Sequence, residues 1–131
     1  MTVSTARAEA EATDAATVSG LSPRTAACLA YAMWWLSGAL LLAIEPTHPF
    51  VRFHARQALR VFGVIWLVGV VCWALSFVLV FVWAPGFRIV ALLGQLTWAA
   101  GVIAWVVCVV KAWRGERWML PWIGPRLRVD A

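Results

Sequence analysis

Three long runs of this chain carry no charged side chain: residues 26–44, 61–83 and 89–110. Each exceeds the roughly 18 apolar residues that cross a hydrocarbon layer about 30 Å thick, and backbone placed there must satisfy its own hydrogen bonds as helix. With 63% of its side chains apolar and 13% charged, the chain lacks the polar surface of an ordinary soluble domain. The expected fold is all-α, an integral membrane helical bundle of three transmembrane helices whose long second helix starts at the interface. The expected segments are a disordered tail over 1–25, a transmembrane domain over 26–124 and a basic tail over 125–131.

The tail over 1–25 is rich in Ala, Thr, Ser and Glu and buries too little apolar area to offset its ordering entropy, so at most a frayed helix over 5–16 is expected. The first run ends at Glu45-Pro46, where proline restricts the residue before it. Thr47-His48-Pro49 then reads as a helix start, with Thr47 as the cap and Pro49 in a first turn that needs no amide donor. Arg52, Arg56 and Arg60 recur every fourth residue and form one basic stripe, with His54, Ala58, Val61 and Phe62 on the other side. The Ala84-Pro85-Gly86-Phe87-Arg88 stretch reads as a tight turn that makes the second and third helices an antiparallel hairpin.

Three crossings place Arg7, Arg24 and Arg88 on one side. Arg52, Arg56, Arg60, Lys111, Arg114, Arg117, Arg126 and Arg128 fall on the other. The positive-inside rule makes the richer side cytoplasmic, which predicts a multi-pass inner-membrane protein with its N-terminus outside and its C-terminus in the cytoplasm. The net charge of +5 is then a membrane-surface signature directed at anionic headgroups rather than at nucleic acid.

Within the spans, Gly69 and Trp73, Gly94 and Trp98, and Gly101 and Trp105 stand four apart, each pairing a notch with an aromatic plate suited to helix packing. Ser37, Gln95 and Thr97 are candidate interhelical fasteners. Trp113, Trp118 and Trp122 suit the interface, and 118–123 is expected to fold back along the basic side. There His54 is expected to bond to the folded-back tail, and Glu116 to pair with Arg52 or another loop cation.

No reaction is spelled out. His48 and His54 point in different directions and lack the partners of a metal or haem site. Cys28, Cys72 and Cys108 each lie within a run, with no ligand spacing. Nucleophile, zinc-protease and phosphate-loop patterns are missing, so neither cofactor nor enzymatic activity is expected.

The run His48-Pro49-Phe50-Val51-Arg52-Phe53-His54-Ala55-Arg56-Gln57-Ala58, followed by Ala112-Trp113-Arg114-Gly115-Glu116-Arg117-Trp118 and Leu120-Pro121-Trp122-Ile123-Gly124, resembles the Tic-twenty-like family. That family includes a plastid inner-envelope import component, small bacterial membrane proteins and magnetosome membrane proteins. The resemblance covers about 26–124 and implies a small helical membrane protein that acts by assembly. The positions it carries over are Arg52, His54, Gln57, Gly115, Glu116 and Pro121. The plastid members have four spans, so their channel formation is not carried over.

The resulting expectation is a structural or interaction protein that assembles with itself or a larger membrane complex through its basic cytoplasmic face. The alternative is an oligomeric translocation or transport component, which a conductance assay in liposomes would reveal.

Overall fold

The structure, a computed structural model, describes residues 2–119. It is helical throughout its ordered elements: α1 (Thr2–Asp14), α2 (Pro23–Leu29), α3 (Trp35–Ile44), α4 (Pro49–Val82) and α5 (Ala84–Trp113). α1 overlaps the frayed helix expected over 5–16, in keeping with the high helix propensity of alanine and glutamate.

The frame is the hairpin of α4 and α5. At 34 and 30 residues they run about 51 Å and 45 Å, each long enough to cross a bilayer. Gln57 faces Cys108, Ile65 faces Gly101, Gly69 faces Trp98 and Cys72 faces Gly94. Residue numbers rise on one helix as they fall on the other, so the pair is antiparallel. The expected loop over 84–88 is not a loop: Trp83 alone separates the helices, and Pro85 occupies the first turn of α5, where its missing amide costs nothing. The Trp83 ring closes over Gly86 and fills the place of a Cβ there.

The first apolar run does not form a third spanning helix. It breaks into α2, of 7 residues, and α3, of 10, joined by a turn over 30–34. At about 10 Å and 15 Å neither can cross a 30 Å core. The turn is built from short-range bonds, Tyr31 N–H to Cys28 C=O and Trp34 N–H to Tyr31 C=O among them. Ser37 replaces helix bonds that the break removes: its hydroxyl accepts from Met33 N–H at 3.0 Å and donates to Ala30 C=O at 2.8 Å. Trp34 adopts φ 58°, a left-handed conformation that costs a β-carbon-bearing residue about 1–3 kcal/mol and persists only where packing over-determines it. The packing is present, as its ring lies 5.4 Å from Phe62 and 4.8 Å from Trp98.

The contacts along α2 and α3 trace a V against the hairpin. Going in, Arg24 sits beside Gly115, Cys28 beside Val109, Tyr31 beside His54 and Phe62, and Trp34 beside Gly101 and Trp98. Coming back, Trp35 packs at a tilt against Trp66, Gly38 lies against Ala55 and Ala58, and Leu41 joins Ala26, Ala30, Val51 and Ala55 in one apolar cluster. The tip of the V reaches about 15 residues, or roughly 23 Å, along α4 and then returns. As a result, Val18 and Ser19 before the V meet Glu45 after it. The segment preceding α2 therefore emerges at the same end of the hairpin as the segment following α5, in place of the opposite ends that three crossings predict.

Beyond the V, the hairpin presents its apolar faces outward: Trp73, Phe77, Phe81 and Val82 on α4 and Ile89, Leu92 and Leu96 on α5 are exposed. A soluble monomer rarely exposes so continuous an apolar surface, whereas lipid covers it.

Candidate functional site

The polar chemistry gathers at the open end of the hairpin. Arg52, Arg56 and Arg60 are half-buried on α4, Lys111 lies in the last turn of α5, and Arg24, Arg114 and Arg117 are exposed beside it. At the closed end the described cation is Arg88. The helical period accounts for the stripe: while the three arginines stay half-buried, His54, Ala58, Val61 and Phe62 on the other side of α4 are all buried.

The α4 start is capped by His48 rather than Thr47. Its Nδ1 accepts from Val51 N–H at 3.4 Å, and its Nε2 lies 3.0 Å from Ala15 C=O. Glu45 is fully buried, and its carboxylate accepts Val18 N–H at 2.9 Å and Ser19 N–H at 2.7 Å. Burial alone would raise its pKa. The hydrogen bonds from Ser19 and Val18 outweigh that and hold the carboxyl below its ordinary value.

His54 and Gln57, one turn apart on α4, face inward. His54 Nδ1 lies 3.0 Å from the Tyr31 hydroxyl, and the rings of Tyr31, Phe50 and Phe53 surround the imidazole edge-on. Gln57 donates from Nε2 to Cys108 Sγ at 3.7 Å. His54 Nε2 and Gln57 Oε1 are buried with no hydrogen-bond partner among the described residues, while Glu116 and Arg117 pass beside the imidazole. The cluster joins the turn over 30–34 to α4 and α5, and no group of three His, Cys, Asp or Glu side chains converges among the described residues.

Glu116 does not pair with Arg52. It is bonded to Lys111, five residues back, because the end of α5 folds the chain over itself. Gly115 at φ 76° lets Glu116 N–H reach Lys111 C=O and Gly115 N–H reach Ala112 C=O, closing the helix with a Schellman turn. The Lys111 hydrogen bond is the main reason that the Glu116 carboxyl is held below its ordinary value, against a smaller opposing effect of desolvation and with help from Arg114. Arg24 Nε lies 3.2 Å from where a Cβ on Gly115 would stand, so α2 packs on this turn. Ala6, Ala10, Asp14, Arg24, Gly115, Glu116 and Arg117 line a pocket of about 400 Å³ between α1 and the end of α5.

The glycine and tryptophan positions act across the hairpin rather than within their own pairs. Gly69 receives the Trp98 indole, Gly94 lies against Cys72, and Gly101 is buried under Ile65 and Trp34. Trp105 donates from Nε1 to Tyr31 C=O at 2.8 Å. Trp73 turns outward and stacks on Phe77. Thr97 donates to Leu93 C=O of its own helix, and Ser37 serves its own turn, so neither ties one long helix to another. Pro121, Trp122, Arg126 and Arg128, with the expected fold-back of 118–123 beyond Met119, lie outside the described residues.

Sequence reasoning missed Tyr31, Glu45 and His48 as joining residues. A signal was present for two of them: an acid and a histidine placed on either side of Pro46-Thr47, directly after a charge-free run.

An apolar hairpin braced by a short helical V, with cations at one end, defines a small multi-helix membrane protein. The chain belongs to the MamF/MmsF family, described as a magnetosome magnetite crystal formation protein family, whose model matches residues 15–127. It is 32% identical over 105 residues to a UPF0132 membrane protein of Methanocaldococcus jannaschii, covering 80% of this chain and 84% of that one. A UPF0132 membrane protein of Archaeoglobus fulgidus is 34% identical over 96 residues, covering 73% and 87%. These matches uphold a small membrane protein family and include the magnetosome branch of the resemblance read from the sequence; the Tic-twenty-like name is not among them. No solved structure matches the chain.

Proposed function

We propose that this chain is a structural or interaction protein of the cytoplasmic membrane, anchored by the α4–α5 hairpin and offering its basic end to partners. The observation that carries the reading is the placement of charge: Arg24, Arg52, Arg56, Arg60, Lys111, Arg114 and Arg117 belong to one end and Arg88 to the other. By the positive-inside rule the rich end is cytoplasmic, which puts both the N-terminal segment and the end of α5 in that compartment. Each cation near anionic lipid adds about 1 kcal/mol of attraction, which seats this end at the headgroups and leaves the exposed arginines for a second copy or another membrane protein. In a family described by crystal formation at magnetosomes, such a face is a platform on which other components are arranged. For this chain the proposed role is that arrangement, with no catalytic step and no cofactor.

A photo-crosslinker at Arg56, used in intact membranes, tests it. A discrete protein adduct, either of twice the chain's mass or with one recurrent partner, supports the reading. Capture of lipid alone refutes it.

A further inference from the structure

We propose that the protein is a sensor of membrane curvature, favouring bilayers that are convex on its basic side. The inference starts from its taper and is independent of what the basic face binds. Up to the level of Ala58, α2 and α3 lie side by side with α4 and α5, and from Arg60 to about Trp66 the turn over 30–34 and the start of α3 continue that cover. Past Trp34 and Trp35 only the hairpin remains. A helix with its side chains is about 10–12 Å across, so the V adds roughly 160–220 Å² of cross-section at its level.

The added area falls within one leaflet. The uncharged part of α4 begins after Arg60, and Trp66, beside the tip of the V, lies about 9 Å further along. Half of a 30 Å core is about 15 Å, so the V stops short of the midplane. Its outward side chains are apolar, with Leu29, Met33, Leu36 and Leu40 exposed to the surrounding lipid. Nor can the V readily flatten: Ser37 bonds across the turn, Trp105 holds the Tyr31 carbonyl, and Gly38 sits hard against Ala55. Apolar helix set into one leaflet to a depth of about 5–10 Å makes binding depend on curvature, because a convex leaflet opens the space that the insertion needs.

The test is the orientation of the full-length protein in phosphatidylcholine vesicles of two sizes, about 30 nm and about 200 nm across, chosen without net charge so that the basic end gains nothing from lipid. With Cys28, Cys72 and Cys108 replaced by alanine, single thiols are introduced as Ala16→Cys, Arg114→Cys and Ala84→Cys and labelled with a membrane-impermeant maleimide. The expected result is that Ala16→Cys and Arg114→Cys label from outside in at least about twofold excess over Ala84→Cys in small vesicles, with the excess fading in large ones. External trypsin acting on the arginines of the unaltered chain should show the same size dependence without engineered thiols. An orientation ratio independent of vesicle size, or a shift toward Ala84→Cys, overturns the proposal. Labelling of Ala16→Cys and Arg114→Cys from opposite sides overturns it too, since the first run would then cross the membrane and no taper would exist.

Discussion

The Trp105 indole donates its Nε1–H to the backbone carbonyl of Tyr31 across 2.8 Å, tying α5 to the turn that reverses the first apolar run. A donor inside lipid has few other partners, so this bond helps decide whether the turn stays folded. Trp105→Phe keeps an aromatic ring and removes the donor. It should lower the stability of the detergent-solubilised protein by about 0.6–2 kcal/mol, read as a fall in its thermal unfolding midpoint. An unchanged midpoint would mean that the turn is held by packing alone.

Two glycines on facing helices should respond oppositely to the same change. A Cβ on Gly38 would stand 2.7 Å from the Ala55 carbonyl oxygen and 3.0 Å from Ala58 Cβ, and backbone cannot yield as a flexible side chain does. Gly38→Ala should therefore push α3 off α4 and cost about 1–3 kcal/mol. A Cβ on Gly63 meets Trp35 Cβ at 3.9 Å, an ordinary contact, so Gly63→Ala should be neutral or add up to about 1 kcal/mol of helix stability. Unfolding of both variants in one detergent provides the comparison.

The Glu45 carboxylate fixes the N-terminal segment through Val18 and Ser19, and its pKa is lowered on folding. A lowered folded value means that the contribution is complete above the ordinary glutamate pKa, about 4.3, and is lost as pH falls through the folded value. Protease cleavage around Gly20 should accordingly be slow at neutral pH and rise below about pH 4. Glu45→Gln should cleave fast at neutral pH and lose that dependence. Parallel pH profiles for the two proteins would count against the contact.

The Glu116 carboxylate pairs locally, so Glu116→Gln should leave the unfolding midpoint and tail accessibility unchanged. Gly115→Ala should not be silent. The residue holds φ 76° and leaves little room beside Arg24, and alanine there should cost about 1 kcal/mol. If Glu116→Gln proves the more damaging of the two, the tail is pinned by charge and not by its turn.

The long helices and the two sides of α4 were legible in the sequence because a single period governs them. Arginines every fourth residue leave His54, Ala58, Val61 and Phe62 on the other side, where the structure buries them. The start of α4 was read to within one residue, the cap falling on His48 instead of Thr47. The reversal of the first run was not legible. A charge-free run of that length meets the spanning criterion, and neither glycine nor proline marks its break at Trp34. What breaks it is tertiary: Ser37 supplying substitute hydrogen bonds, and Phe62 and Trp98 seating a strained tryptophan. Pro85-Gly86 misled for a related reason, since proline serves a turn and a first helical turn equally well.

The cap on α4 has a chemical corollary. Because His48 Nδ1 takes up the Val51 amide, the ring's hydrogen must sit on Nε2, where the Ala15 carbonyl receives it. One neutral tautomer satisfies both contacts, and its mirror choice satisfies neither. The joint between the leading segment and the main hairpin is keyed to the position of a single proton.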